Sequence, residues 1–128
     1  MANENTDVKD ATAEEPPLIL EINGEEEMEK LKEMSHERLV IVDFFAPWCG
    51  PCKSVKRAYE ILAEQEATVK FAKLDIDIYE DAPAEYSIAA MPTFMAFKNG
   101  EMVDSVIGPH IEQVKQMIAR LKQFHNVV

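Results

Sequence analysis

Residues 43–53 read Asp-Phe-Phe-Ala-Pro-Trp-Cys-Gly-Pro-Cys-Lys, and this stretch decides both the fold and the chemistry. It overlaps a β-branched and aromatic run from Leu39 to Phe45, which predicts a strand buried on both faces. A helix is predicted to begin at Cys-Gly-Pro-Cys, because proline is tolerated in a first helical turn. Cys49 then stands at a helix N-terminus, where unpaired backbone N–H groups and the helix dipole stabilise a thiolate. The helical turn brings both sulfurs within bonding reach, so Cys49 is expected to attack a substrate disulfide and Cys52 to resolve the mixed disulfide.

A zinc site is the first alternative for two cysteines at this spacing. The chain offers only His36, His110 and His125 as further nitrogen ligands, and none of them forms the close pair that a zinc finger needs. Two inert core cysteines are the second alternative, which the exposed strand-to-helix junction disfavours. The sequence therefore favours redox chemistry, and we expect no metal and no cofactor besides the redox-active Cys49–Cys52 disulfide.

Strand-like and helix-like stretches alternate along the rest of the chain. Asn99-Gly100 between two apolar runs is typical of a β-hairpin, and Gly108-Pro109 ends the second run. The predicted strands cover 18–22, 39–45, 69–76, 93–97 and 102–107, and the predicted helices cover 25–34, 51–65, a short one from about 81, and 111–121. The order β-α-β-α-β-α-β-β-α predicts an α/β fold, a central mixed five-stranded sheet flanked by about four helices.

The length, composition and charge of the chain limit the number of domains and the kinds of partner that we expect. The 128 residues suffice for one domain, and 47% of them are hydrophobic, which is enough for a packed core. Lys and Arg number 13 against 24 Asp and Glu, and the formal charge of −11 disfavours nucleic acid and anionic membranes as partners. Residues 1–17 are acidic and almost without large apolar side chains, so we expect a flexible extension there and one domain over 18–128.

The sequence also bears on localisation. No basic segment followed by an apolar one is visible near the N-terminus, and two cysteines are too few for the disulfide framework of a small secreted domain. The longest aliphatic run, Leu39 to Val42, is far shorter than the roughly 20 residues of a membrane span. We therefore expect a cytoplasmic protein without membrane contact, and we expect it to be a monomer.

Several segments in register resemble the thioredoxin family. Trp48 to Cys52, preceded by Val42-Asp43-Phe44 and followed by Lys53, is similar to the active-site segment of that family. Residues 72–77 resemble its third central strand, 91–94 its cis-proline loop, 97–100 its hairpin, and Gly108 the glycine before its last helix. The resemblance covers nearly the whole chain after residue 17. It implies the thioredoxin fold, a cis bond before Pro92 and protein-disulfide oxidoreductase activity.

Asp43 is a carboxylate inside an otherwise apolar predicted strand. Burial penalises its charged form, so we expect a raised pKa for Asp43 and proton exchange between this side chain and Cys52. A strand residue that faces water is the alternative. Lys73, flanked by Ala72 and Leu74, is the natural counter-charge for Asp43, as the resemblance also implies, although an ordinary ion pair at a strand end explains this lysine nearly as well.

The resemblance further implies a shallow substrate-docking surface beside the cysteines. Its residues by this similarity are Trp48, Gly50, Pro51, Met91, Pro92, Thr93, Ile107 and Gly108. A core position is the alternative for the tryptophan and, with a stronger case, for the methionine.

Two positions depart from the family pattern. Arg57 stands where a kinking proline is usual, which predicts a straighter helix, and Phe45 stands where bacterial members often carry tryptophan. Arg57 also forms a local basic cluster with Lys53 and Lys56. Lowering the thiolate pKa, steering acidic partners and a simple solvated helix face are three open explanations of this cluster.

The favoured function is reduction of protein disulfides, with recycling by an NADPH-dependent thioredoxin reductase, as the resemblance implies. Gly50-Pro51 between the cysteines favours reduction, because the oxidising and isomerising relatives usually carry Gly-His there together with a signal peptide and a retention tail. Such a protein serves electron transport and cell redox homeostasis. Three alternatives stay open: an isomerase-like oxidant, a redox-regulated binding module, and an electron donor dedicated to one enzyme.

Overall fold

Strands and helices follow one another in the predicted order. The computed structural model describes residues 17–126, with side chains to residue 123, so the expected acidic extension over 1–17 lies outside the described residues except for Pro17. The strands are β1 (Ile19–Ile22), β2 (Val40–Phe45), β3 (Lys70–Asp75), β4 (Thr93–Lys98) and β5 (Glu101–Ile107). The helices are α1 (Glu25–Met34), α2 (Gly50–Gln65), α3 (Ala82–Glu85) and α4 (Ile111–Asn126).

One mixed sheet contains all five strands in the order β1-β3-β2-β4-β5. The first three are parallel, while β4 runs antiparallel to β2 and β5 antiparallel to β4. The predicted α/β class, five-stranded sheet and four helices are confirmed. In the central strand Asp43 lies opposite Lys73 of β3 on one side and Phe94 of β4 on the other.

Apolar side chains alternate between the two faces of the sheet, and each face has its own core. Ile41 and Phe71 pack with Tyr59 of α2 and with the inner side of α4 on one face. Val42 and Phe44 pack against α1 and α3 on the other face. Because β2 is covered on both sides, five of its six residues are buried, as its unbroken apolar sequence predicts.

The β4–β5 hairpin turns at Asn99 and Gly100, which have φ values of 54° and 85°. The Asn-Gly pair suits such a turn because both residues tolerate a positive φ. Ser35, fully buried after α1, holds the turn in place: its carbonyl accepts a hydrogen bond from Asn99 N at 2.9 Å, and its hydroxyl oxygen accepts one from Gly100 N at 2.7 Å. The hairpin is thereby tied to the opposite layer of the fold.

Element ends differ from the predicted ones by a residue or so, except at the last helix. The predicted apolar pattern stops at Leu121, whereas α4 continues to Asn126, because a helix can extend past its last core contact into solvent. No helix in the described part of the chain has the length and apolar character needed to span a bilayer.

Candidate active site

The start of α2 holds the two cysteines. Cys49 is the N-cap residue with extended backbone, and the Cys52 N–H donates to Cys49 Sγ at 3.1 Å. Cys49 and Cys52 form a disulfide, with their Cα atoms 5.2 Å apart, and each residue is only 6% exposed. The predicted strand-to-helix junction is therefore present. An N–H of the first helical turn, which has no partner within the helix, donates to the sulfur of Cys49.

The loop before β4 faces Cys49. The Met91–Pro92 peptide bond is cis, as the family resemblance implies, and the Met91 carbonyl oxygen lies 3.7 Å from Cys49 Sγ. Gly108 N donates to the Pro92 carbonyl at 2.8 Å, which joins this loop to the end of β5. Gly108 has a φ of 102°, and the His110 ring lies close over it, so a side chain at this position would be strained and would clash.

Apolar side chains lie exposed around the disulfide. Trp48 is 64% exposed and Ile107 58% exposed, while Met91 is half-buried. A core position for Trp48 is therefore excluded, and its indole N–H donates to Asp77 Oδ1 at 3.3 Å. Gly50 and Pro51 are exposed on the first turn of α2.

Thr93 differs from the exposed residues of the predicted docking surface. Its side chain is buried, and its hydroxyl donates to the Ala90 carbonyl at 2.6 Å. The contact closes the loop that carries Met91 and Pro92. Thr93 thus supports the loop from within, next to Pro92, which is also buried, whereas Met91 is partly exposed.

Asp43 lies behind the disulfide on the α2 face of the sheet. It is 7% exposed, and its Oδ1 has no hydrogen-bond partner. Burial raises the pKa of the Asp43 carboxyl from 3.8 to about 7, against the opposing effect of the positive charge of Lys73. The expectation that this carboxylate faces the interior is confirmed, and the water-facing alternative is wrong.

A cavity of about 300 Å³ connects Asp43 with Cys52. The other walls are formed by residues from β1, β2, the loop after β2, α2 and β3: Ile19, Phe45, Ala46, Pro47, Lys53, Lys56, Tyr59, Glu60 and Lys73. Lys73 stands opposite Asp43 in the strand register, and its ammonium lies 3.7 Å from Glu21 Oε2. Both explanations of Lys73 hold in part, because it acts on the Asp43 charge and pairs with a carboxylate at the sheet edge.

Tyr59 is a polar member of this cavity that stands among the buried apolar positions of α2. Its hydroxyl donates to the Ala72 carbonyl at 2.7 Å, and the Ile41 carbonyl lies 3.3 Å away. Burial and the nearby Asp43 charge raise the pKa of Tyr59 well above its usual value. A tyrosine among aliphatic helix positions was the available signal, since a buried phenol needs a hydrogen-bond acceptor.

Arg57 and the two lysines lie on the solvent side of α2. The helix runs unbroken from Gly50 to Gln65 past Arg57, whose guanidinium is exposed and lies 3.3 Å from Glu60. Lys53 and Lys56 are exposed at the mouth of the cavity. Within residues 17–123, whose side chains the structure describes, no three His, Cys, Asp or Glu residues come together as metal ligands.

Known proteins of the same architecture place this site in a family. A family model described as thioredoxin matches residues 19–122. The chain belongs to the thioredoxin family. Thioredoxin of Equus caballus is 36% identical over 104 residues, which cover 81% of this chain and 99% of that protein. Thioredoxin-1 of Saccharomyces cerevisiae is 42% identical over 86 residues, which cover 67% of this chain and 84% of that protein.

Solved thioredoxin structures agree with this assignment. The structure of Fasciola hepatica thioredoxin has a TM-score of 0.77 at 40% identity, and the match covers 80% of this chain and 98% of that one. Thioredoxin from Trypanosoma brucei brucei gives 0.78 at 30% identity, covering 86% and 96%. With Cys49 and Cys52 in the active-site position, this thioredoxin-family member is a thiol-disulfide oxidoreductase that works through a redox-active disulfide.

Proposed function

We propose that this protein reduces disulfides in protein substrates, with Cys49 as the attacking thiolate and Cys52 as the resolving thiol. One observation carries the proposal: the Cys49–Cys52 disulfide stands at the start of α2, with Asp43 buried in the cavity behind it. The Cys49 thiolate attacks the substrate disulfide and displaces one substrate thiolate. Cys52 then attacks Cys49 Sγ and releases the second, so two electrons pass to the substrate and the protein disulfide re-forms.

Asp43 supplies the proton transfer that this cycle needs. Cys52 attacks as a thiolate, and its proton has to move to a nearby acceptor. Asp43 lines the same cavity as Cys52, and a carboxyl with a pKa of about 7 exists in both protonation states at neutral pH. The positive charge of Lys73 favours ionised Asp43 and so helps this residue to give its proton back when the next cycle requires it.

The exposed apolar residues dock the substrate. An extended segment that carries the disulfide pairs with the Met91 backbone beside Cys49, in the manner of a strand added to a sheet edge. Trp48 and Ile107 cover the apolar side chains of that segment. The other residues of this surface shape it at the helix start or at the loop: Gly50, Pro51, Pro92, Thr93 and Gly108.

An NADPH-dependent thioredoxin reductase returns the oxidised protein to its dithiol form in this proposal. The reaction belongs in the cytoplasm, where NADPH keeps protein thiols reduced, and there the protein contributes to electron transport and cell redox homeostasis as a monomer. Gly50-Pro51 between the cysteines supports reduction over oxidation. A reduction potential well above that of the glutathione pool would instead favour the isomerase-like oxidant.

Insulin reduction with NADPH and a thioredoxin reductase tests the proposal. We expect the wild type to reduce insulin and Cys49→Ser to lose turnover by at least about a thousandfold, because the attacking thiolate is removed and Cys52 is buried behind it. We expect Cys52→Ser to accumulate a mixed disulfide with insulin. NADPH oxidation gives the rates, and mass spectrometry detects the mixed disulfide. Absence of insulin reduction by the wild type would overturn the proposal, and turnover by Cys49→Ser would remove that residue from its role.

Asp43→Asn tests the proton transfer separately. Because the amide cannot accept a proton, we expect the variant to slow turnover about tenfold or more near neutral pH and to flatten the pH profile around pH 7. Circular dichroism checks that the variant keeps its fold. A profile identical to that of the wild type would show that another group accepts the proton.

A further inference from the structure

Lys53, Lys56 and Arg57 form a basic patch on the first two turns of α2. Their spacing of three and four residues places them on one side of the helix, and all three are exposed. Among the described residues, Lys53 and Lys56 form no salt bridge, and Arg57 has only the exposed contact with Glu60. Lys30 and Lys98 likewise form no described salt bridge, so it is their position beside Cys52 that distinguishes Lys53 and Lys56.

The basic patch borders the reactive disulfide. Lys53 follows Cys52 directly, and both lysines line the cavity that Cys52 and Pro47 also line. The exposed apolar side chains of Trp48 and Ile107 also lie around the disulfide. A protein that brings its disulfide to Cys49 therefore meets an apolar centre with a cationic flank.

The patch has little role in stabilising the fold. Exposed charges contribute about 0–1 kcal/mol even when they are paired, and the ammonium groups of Lys53 and Lys56 have no described partner. Their field acts over short distances, because salt screens exposed charges beyond about 8 Å at physiological ionic strength. A carboxylate feels the patch only when it lies near the disulfide that is being reduced.

We propose that the basic patch binds carboxylate side chains that flank the substrate disulfide, so that disulfides in acidic segments are the preferred substrate class. The inference rests on the proposed reductase function and adds a charge preference to it. The full chain carries a net charge of −11, so the surface outside the patch does not attract such substrates. Selection therefore takes place at the docked complex, where Lys53 and Lys56 face the partner.

Two synthetic peptides with the same disulfide ring test this proposal, one flanked by aspartates and one by serines and glutamines. The pre-reduced protein is mixed with each peptide, and chromatography of the released dithiol gives the second-order rate constant. We expect the acidic peptide to react about tenfold faster than the neutral one near physiological ionic strength, and the ratio to approach one at about 0.5 M salt.

The double variant Lys53→Gln, Lys56→Gln is expected to bring the acidic-to-neutral ratio close to one. Because the ratio is taken within each variant, any general change in rate cancels. Lys30→Gln, Lys98→Gln removes the same charge from α1 and β4, away from the disulfide, and is expected to keep the wild-type ratio. A wild-type ratio near one, or a ratio that survives the loss of both patch lysines, overturns the proposal.

Two further outcomes are distinguishable. If the wild type reduces neither peptide, the reductase function itself fails, whatever the charges do. If the wild-type ratio is near one and rises only after Glu4, Asp7, Asp10, Glu14 and Glu15 are replaced by amides, the acidic N-terminal segment occupies the patch. That result also overturns the proposal, because the segment then excludes substrate carboxylates.

Discussion

Two buried polar side chains stand in contrasting surroundings, Ser35 at the corner after α1 and Asp43 in the middle of β2. Ser35 is fully buried, yet its hydroxyl donates to Lys32 O and accepts from Gly100 N, while its carbonyl accepts from Asn99 N. Asp43 is buried almost as deeply, and its Oδ1 has no partner. Ser35 has a partner for each of its polar atoms, whereas Asp43 leaves one carboxylate oxygen without a partner beside a cavity.

The difference in hydrogen bonding distinguishes a polar group that stabilises the fold from one that serves the proposed reaction. A buried polar group with its hydrogen bonds made stabilises one arrangement of the chain, whereas a buried group without a partner raises the free energy of the folded state. The hairpin corner therefore serves the fold. The buried Asp43 carboxyl lowers the stability of the folded protein at neutral pH. In return, this carboxyl can change its protonation state near Cys52 in the same pH range.

Asp43→Ala gives the largest expected effect. Between about pH 4 and pH 7 the folded protein holds a proton on Asp43 that the unfolded chain has released, so its free energy of unfolding falls as the pH rises through that window. The gap between an Asp43 pKa of 3.8 in the unfolded chain and about 7 in the folded protein lowers the free energy of unfolding by about 4 kcal/mol at about pH 8. We expect the oxidised variant to be more stable than the wild type by up to this amount at that pH, with the difference vanishing near about pH 4.

Urea denaturation at several pH values measures that difference. A stability difference that does not depend on pH would show that the Asp43 carboxyl titrates normally, and the contrast with Ser35 would then disappear.

Ser35→Ala is expected to act in the opposite direction and at every pH. The variant leaves the Gly100 N–H and the Lys32 carbonyl without their side-chain partner at a fully buried position. We expect a loss of about 2 kcal/mol in the free energy of unfolding, equal at about pH 5 and about pH 8, with insulin reduction by the folded protein preserved. A loss of turnover in the still-folded variant would place the hairpin corner in the functional region.

Tyr59→Phe gives the smallest effect and tests where the boundary between the two regions lies. Tyr59 lines the Asp43 cavity, but its hydroxyl is satisfied by the Ala72 carbonyl, as that of Ser35 is by its own partners. We expect a loss of about 1 kcal/mol of stability and an unshifted pH profile of insulin reduction, because the phenol oxygen makes a structural contact. Movement of the profile around pH 7 would assign Tyr59 to the proton transfer.

Much of the fold was predictable because its signals are local. The apolar run before Cys49 predicted the buried central strand, Asn99-Gly100 predicted the hairpin, and alternating patterns predicted the order of all elements. Such patterns depend on neighbours in sequence, so they can be recognised without knowledge of the tertiary structure. The family resemblance supplied the cis bond before Pro92, which no propensity of Met91 or Pro92 indicates.

Contacts between distant segments were harder to predict. Asp43 and Lys73 were expected to interact, but the ion pair of Lys73 with Glu21 depends on which strand lies at the sheet edge. The Tyr59 hydroxyl reaches Ala72 only because α2 crosses β3 at that point. The family resemblance grouped Thr93 with the docking surface, whereas the pleat of β4 turns its side chain inward.

Because the Cys52 N–H donates to Cys49 Sγ, the atom that caps the N-terminus of α2 is also the atom that reacts. Every change of bonding at that sulfur in the proposed cycle, from disulfide to thiolate to mixed disulfide, also changes the acceptor strength at the end of α2. The Cys52 amide is thus an internal reporter of the redox state. Its rate of deuterium exchange should slow in the dithiol form, where a charged thiolate holds the proton more tightly, without any label added to the protein.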